Sequence, residues 1–311
     1  VRFLVGETSP ETLIAESQPD LVVNGLVGAA GLRPTLAALE RGIDVGLANK
    51  ESLVIGGALI QRVLTQTRAR LIPIDSEHSA LFQLLQGRSS DEIVRVVLTA
   101  SGGALRDWPL ERLSKATPED VLQHPTWQMG SRITVDSATL VNKALEVIEA
   151  HWLFALPYER IEAVIHPQSI VHGLVELCDG SWLAHLGTPD MRVPIQYALT
   201  YPWRAQQRCA PLDLVGLQLK FDSLEPKRYP AFGLIIEAGR RGSTYPAVAN
   251  AADEVAVERF LRREIAFGDI PVLIEAVLNA HEPVPDERLD LAAVLAADRW
   301  AREQARRWEP P

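Results

Sequence analysis

The sequence predicts an α/β fold that ends in a helical bundle, and three observations carry that prediction. Short apolar runs alternate with helical patterns as far as Ile74, a strong strand opens a second α/β section at Ile93, and only helical patterns follow Tyr229. In the first section Asp20–Asn24, Asp44–Ala48 and Arg70–Ile74 read as strands. Arg33–Arg41, stopped by Gly42, and Ser52–Thr67 read as the helices between them. Strands that alternate with helices imply right-handed crossovers and a mostly parallel sheet. In the second section Ile93–Thr99, Ala163–His166, Ile170–Leu177 and Trp182–His185 read as strands. Arg204–Tyr229 is irregular and punctuated by prolines, as a connection would be. Phe232–Arg240, Tyr245–Arg263, Pro271–Ala280 and Leu289–Arg307 then read as helices. The domain reading is 1–74, 75–203, a connecting segment 204–230, and a helical domain 231–311.

Val1–Gly6 reads as a strand entering a turn, with neither an initiator Met nor a signal-peptide pattern. A chain that opens in mid-rhythm is expected to begin partway through its first domain.

Composition narrows the classes of function. With 47% hydrophobic and 23% charged residues the chain is an ordinary globular protein, and no apolar run approaches the roughly 20 residues of a membrane helix. The net charge of -9 comes without a clustered Lys/Arg footprint, which sets nucleic-acid binding aside. An anionic ligand would therefore need a local cationic pocket. Cys178 and Cys209 form no C-x-x-C pair, which fits a reducing, cytoplasmic setting and argues against a structural zinc site.

Four segments can carry chemistry. Asp75 and Glu77, in Pro73-Ile74-Asp75-Ser76-Glu77-His78, follow a buried-type strand, where α/β folds place their ligand crevice. Two hard carboxylates there suit Mg²⁺ or Mn²⁺; equally, Asp75 or Ser76 can cap a helix with Glu77 in its first turn, and both can hold together. In Asp136–Glu146, Asp136 or Ser137 can cap a helix on which Asn142, Lys143 and Glu146 share one face, opposite an apolar stripe of Leu140, Ala144, Leu145 and Ile148. That face can bind phosphate and complete a metal shell, or be a solvated face with a weak Lys143–Glu146 pair. Ser101-Gly102-Gly103 after a strong strand can cradle an anion or simply turn the chain. His124–Gly130 places His124, Trp127 and Met129 on a Pro/Gly-bounded loop suited to a lid, or to a loop tucked onto the surface by its Trp. His166 and His172 rank below His124, because isolated histidines near strands are mostly structural.

Taken in order, these segments resemble the 1-deoxy-D-xylulose 5-phosphate reductoisomerase family. The resemblance rests on Ala48-Asn49-Lys50-Glu51-Ser52, Asp75-Ser76-Glu77-His78, Ser101-Gly102-Gly103 and the His124–Gly130 segment. It rests further on Val135–Thr139 with Asn142-Lys143, His166-Pro167-Gln168-Ser169, and Gly187-x-Pro189-Asp190-Met191-Arg192. It implies an N-terminal Rossmann-like NADPH domain with its first part missing, a central α/β catalytic domain and a C-terminal α-helical bundle. It also implies a homodimer. Asp75, Glu77 and Glu146 would hold Mg²⁺ or Mn²⁺. Lys50, Glu77 and His124 would be catalytic, and Lys50, Ser76, Glu77 and Glu146 would contact the sugar backbone. Ser101, His124, Ser137, Asn142 and Lys143 would bind its phosphate, with Trp127 on the flap. Asn49, Glu51, Gly130 and Met191 would face NADPH.

The implied reaction is rearrangement and reduction of the sugar phosphate in isoprenoid precursor synthesis, by a retro-aldol/aldol or an α-ketol route. One departure stands out. The family's Gly-x-x-Gly-x-x-Gly cofactor loop has no counterpart, since Gly25, Gly28 and Gly31 come too late. A catalytically silent sugar-phosphate binder, or a reductase-like relative with another substrate, are the competing readings.

Overall fold

A computed structural model describes residues 3–6, 8–124, 126–127, 129–206 and 209–310. The first section holds α1 (Ser9–Ser17), β1 (Leu21–Asn24), α2 (Leu32–Leu39), β2 (Asp44–Leu47), α3 (Lys50–Leu64) and β3 (Leu71–Pro73). Its strands pair in parallel in the order β1-β2-β3, as the alternation predicts. The expected strand at the start is not formed: Phe3–Gly6 is irregular, with Phe3 and Val5 exposed, and Val1 and Arg2 lie outside the described residues.

The second section runs α4 (Ser76–Leu84), β4 (Ile93–Ala100), the short α5 (Leu110–Leu113) and α6 (Pro118–Val121), then α7 (Ser131–Thr139) and α8 (Val141–Phe154). β5 (Ile161–Ile165), β6 (Val171–Leu177), β7 (Trp182–Leu186) and α9 (Arg192–Thr200) complete it. Its sheet has the order β5-β4-β6-β7 and is mixed: β5 lies parallel to β4, β6 antiparallel to β4, and β7 antiparallel to β6. One face of this sheet is covered by α4 and α8, through Leu81, Val147 and Ala150 against Val96, Leu98 and Val175. A helix pair that buries its apolar stripe on a sheet must aim its other residues away from it, toward the cavity described below.

The expected single helix across Asp136–Glu146 is two. Leu140 adopts a left-handed conformation, φ +57°, and separates α7 from α8. That conformation costs a non-glycine residue about 1–2 kcal/mol. Burying the Leu140 side chain with Ala100, Ile165 and Tyr229 contributes about 1.5–3 kcal/mol, enough to offset it. Asp136 is accordingly no cap. It sits buried in the body of α7, and Ser137 occupies the last turn of that helix.

The C-terminal helices are α10 (Pro230–Arg241), α11 (Tyr245–Leu261), α12 (Asp269–Asn279) and α13 (Leu291–Arg307). α11 is buried on all sides, as expected of a helix built almost wholly from Ala and Val at its core. The largest apolar core runs without interruption from α2 and α3 through α8 into α10–α13. Among the described residues, no helix is long and apolar enough to cross a membrane.

α11 also carries a buried acid. Asp253 is fully buried, no fixed donor bonds its oxygens, and it faces the Asp136 carboxyl. A hydrogen bond between two carboxyls requires that one keep its proton. Burial first, and the Asp136 charge second, push the Asp253 carboxyl well above the usual range, against the pull of Arg132. The folded state thus holds this proton more tightly than the unfolded chain. The associated stability is fully present below the unfolded carboxyl value of about 4 and is lost as pH rises toward the folded one. Asp253→Asn keeps a donor and removes the titration. Its melting temperature is expected to fall less between pH 5 and pH 8 than that of the wild type, measured by thermal unfolding. An equal fall would contradict the shared proton.

Candidate active site

Three helices begin at one place. β2 runs into α3 through Asn49, whose Oδ1 accepts from the Ser52 amide at 3.0 Å, and β3 runs into α4 through Asp75, whose Oδ1 accepts from the Ser76 amide at 2.9 Å. α8 starts at the Leu140 break. The positive ends of three helix dipoles therefore converge on one cavity of about 310 Å³. Asp75 is both helix cap and site residue, so the two sequence readings hold together.

The floor of the cavity is a knot of charge. The Lys50 ammonium donates to Asp75, to Asn142 Oδ1 at 2.8 Å and to Glu146 Oε1 at 3.3 Å. The Lys143 ammonium donates to Glu77 Oε1 at 2.7 Å and to Glu146 Oε2. Asn142 Nδ2 donates to Glu146 Oε1 at 2.5 Å, and Ser76 Oγ to Glu77 Oε2 at 2.6 Å. The Lys143–Glu146 face is thus no solvated surface: the two side chains are 4% and 1% exposed.

Burial pushes the Asp75 carboxyl upward, but Lys50, with His78 and Lys143, outweighs it and holds Asp75 well below the usual range. Glu77 is likewise lowered, burial being overcome by Lys143. Glu146 goes the other way, pushed up to about 7 by burial and by Glu77 against the pull of both lysines. The donors gathered on its two oxygens call for the ionised form, so we assign a carboxylate to it. Three clustered carboxylates facing two ammonium groups are a hard-oxygen donor set of net negative charge, which fits a small divalent cation.

The opposite wall carries Ser101, His124 and Ser137, groups that can donate to an anion. Gly103 has φ +70°, and a Cβ there would lie 2.5 Å from the Ala138 backbone, so only glycine lets the Ser101–Gly103 turn press against α7. His124 Nδ1 accepts from the amides of Thr126 at 3.1 Å and Trp127 at 2.9 Å. Its proton must therefore sit on Nε2, which meets Ser101 Oγ at 2.9 Å. Burial, then Arg106, lowers the imidazole pKa and keeps it neutral. Ser137, delivered by the end of α7, lines the same cavity with Asn142 and Lys143.

Met191 and Trp127 also line the cavity. Asn49, Glu51 and Gly130 do not. Asn49 is buried, Gly130 is the exposed N-cap of α7, and Glu51 is tied behind the wall to the Gly28 amide and Arg132. Pro125 and Gln128 of the lid segment lie outside the described residues. His166 is structural, its Nε2 accepting from the Val171 amide and its Nδ1 donating to the Lys220 carbonyl.

Proteins of known family match this chain along nearly its whole length. The model for 1-deoxy-D-xylulose 5-phosphate reductoisomerase matches residues 1–57, and two models for the C-terminal domains of that enzyme match residues 71–154 and 186–304. The enzyme of that name from Gloeobacter violaceus is 54% identical, over 98% of this chain and 77% of the relative. The one from Thermomicrobium roseum is 55% identical, over 92% of this chain and 75% of the relative. The chain belongs to the 1-deoxy-D-xylulose 5-phosphate reductoisomerase family. A crystal structure of DOX-P reductoisomerase in complex with NADPH, fosmidomycin and magnesium superposes with a TM-score of 0.92 at 40% identity, covering 97% of this chain and 79% of that one. The reductoisomerase from Zymomonas mobilis in complex with NADPH gives 0.89 at 41% identity, covering 96% of this chain and 77% of that one.

Within this reductoisomerase site two histidines gain importance over the sequence reading. His172 lines the cavity, its ring beside Trp127. His78 has, with Asp75 and Glu146, a donor atom within 4.8 Å of each of theirs. His78 is nevertheless fully buried, with Nε2 on the Glu146 carbonyl at 2.8 Å and Nδ1 3.4 Å from Glu149, whereas Glu77 reaches the cavity. The one-turn spacing from Asp75 was the available signal for His78; β6 placement gave none for His172.

Removing one carboxylate tests the donor set. Glu146→Gln is expected to weaken Mn²⁺ binding by at least on the order of 10-fold, read by titration calorimetry. Unchanged binding would exclude Glu146 from the set.

Proposed function

We propose the following residue roles for the NADPH-dependent conversion of 1-deoxy-D-xylulose 5-phosphate into 2-C-methyl-D-erythritol 4-phosphate, the reaction of the family to which this chain belongs. The observation that carries the assignment is the single cavity that sets a carboxylate trio against an anion-binding wall. Asp75, Glu77 and Glu146 would hold Mg²⁺ or Mn²⁺, which when bound supplies Lewis-acid stabilisation of negative charge developing on the substrate oxygens. NADPH supplies the hydride.

The chain's own groups do the rest. Lys50 and Ser76 lie over the carboxylates and orient the sugar oxygens; Lys50 releases Asp75 or Glu146 to take up that role. Glu77 and His124 complete the catalytic set, His124 with its proton on Nε2. Ser101, His124, Ser137, Asn142 and Lys143 hold the phosphate. Because the phosphate lies away from the reacting carbons, its binding energy can serve orientation and the closing of the Trp127 flap. Asn49, Glu51, Gly130 and Met191 form the NADPH side, the first two by shaping its loop from behind. The division into a cofactor domain 1–74, a catalytic domain 75–203, a connection 204–230 and a helical domain 231–311 is part of this reading. So are a cytoplasmic setting and a homodimer, which the exposed Trp182 and Leu186 on edge strand β7 would favour.

The test is NADPH oxidation by the full-length protein with 1-deoxy-D-xylulose 5-phosphate, with the product identified by NMR. Turnover is expected to stop on chelation and return with Mg²⁺ or Mn²⁺. Ser101→Ala, which removes a hydrogen bond to a charged group, is expected to lower kcat/KM about 10–100-fold. A folded full-length protein that binds the sugar phosphate without turnover would overturn the assignment.

A further inference from the structure

Arg132 is the second residue of α7, directly after the lid segment ends at Gly130. Its Nη1 lies 3.1 Å from Glu51 Oε1 on α3 and 3.0 Å from Glu254 Oε1 on α11. Nη2 reaches Asn250 Oδ1 at 3.4 Å, and Nε lies 3.6 Å from Asp136 Oδ2. From Glu254 the chain of charge continues to Arg302 at 2.7 Å and on to Asp298 on α13. One guanidinium thus joins the root of the lid, the start of α3 and the helical bundle.

What Glu51 does with its other bonds gives this contact a purpose. Its Oε1 also accepts from the Gly28 amide at 3.2 Å, and its Oε2 from Asn49 Nδ2 at 2.8 Å. Asn49 in turn donates to the carbonyls of Leu26 and Gly28. Gly28 has the left-handed φ of +68° that favours glycine, and a Cβ there would meet Glu254 Oε1 at 2.7 Å, which places that carboxylate directly behind the turn. The turn that follows β1, at the C-terminal edge of the parallel sheet where a dinucleotide lies, is therefore held by Glu51 and Asn49, with Glu254 close behind Gly28. Both are carboxylates, and a phosphate-bearing cofactor is repelled by them unless their charge is met. Arg132 meets both.

We propose that Arg132 is a positioning residue for the nicotinamide cofactor: by bridging Glu51 and Glu254 it fixes the Leu26–Gly28 turn and neutralises the acids behind it, while anchoring the root of the lid. The inference rests on the reading that Asn49 and Glu51 stand on the NADPH side. A plain brace between domains would make the same contacts, and the difference lies in what its loss does to cofactor affinity.

The experiment is a fluorescence titration of NADPH onto full-length wild type, Arg132→Gln, Arg132→Lys and the double variant Arg132→Gln/Glu51→Gln, with steady-state kinetics alongside. Truncating one partner of a partly buried charge pair is expected to weaken NADPH binding about 10-fold or more in Arg132→Gln. Arg132→Lys, which reaches one carboxylate but not both, is expected to fall between it and wild type. KM for NADPH should rise in step, while kcat at saturating NADPH stays within about threefold. In the double variant the unpaired acid is gone but one of the two bonds Glu51 accepts is lost with it, so its affinity should stay within about threefold of that of Arg132→Gln. Should Arg132→Gln not fold, the Arg132→Lys titration decides by itself. A lowered melting temperature with unchanged NADPH affinity would overturn the inference and leave a brace. Wild type that binds no NADPH would instead overturn the cofactor reading, and the inference with it.

Discussion

Lys50 and Lys143 are both buried, and between them they bridge Asp75, Glu77 and Glu146. The site's geometry depends on this knot. Removing one member of a buried ion pair costs about 3–5 kcal/mol, a large part of the roughly 5–15 kcal/mol by which domains are stable. Neither lysine can be replaced for tidiness. Each ammonium also marks a place where positive charge is wanted, so a cation held by these carboxylates would compete with the lysines for them.

The fold brings these groups together from places far apart in sequence. β2 and β3 end side by side in the parallel sheet and deliver Lys50 and Asp75 at the starts of α3 and α4. Glu146, Asn142 and Lys143 arrive on α8, whose apolar side is held by the mixed sheet through Val147 and Ala150. The Leu140 break sets the direction: without it α7 would run on, and Ser137 and Lys143 would lie on a single helix instead of at the junction of two. A backbone strain offset by burial thus has a structural result, the meeting of the Ser101–Ser137 wall with the carboxylate floor.

Much of this was legible in the sequence, for physical reasons that differ by element. The three parallel strands announce themselves because buried strands between helices are short, apolar and bounded by Gly or Asn. Asp75, Glu77, Ser101 and Lys143 stood out because polar side chains followed strands or shared a helix face. The Leu140 break was not legible, since a leucine carries none of the Gly or Asn signal of a left-handed residue, and its reason lies in the distant Ala100, Ile165 and Tyr229. For the same reason Asp136 read as a cap: its burial against Asp253 and Arg132 depends on α11, more than a hundred residues later. Arg132 carried no signal at all, since nothing local shows that Glu51 on α3 and Glu254 on α11 would close around it.

The central claim is that the Asp75, Glu77 and Glu146 carboxylates form one cation site held ready by two lysines. Anomalous diffraction from crystals of the full-length protein grown with Mn²⁺ addresses it most directly. The account predicts one strong peak in contact with all three carboxylates, with Lys50 and Lys143 displaced from at least one of their present partners. A peak bound through His78 in place of Glu77, or an ion lying elsewhere in the cavity while both lysines keep every carboxylate contact, would contradict it.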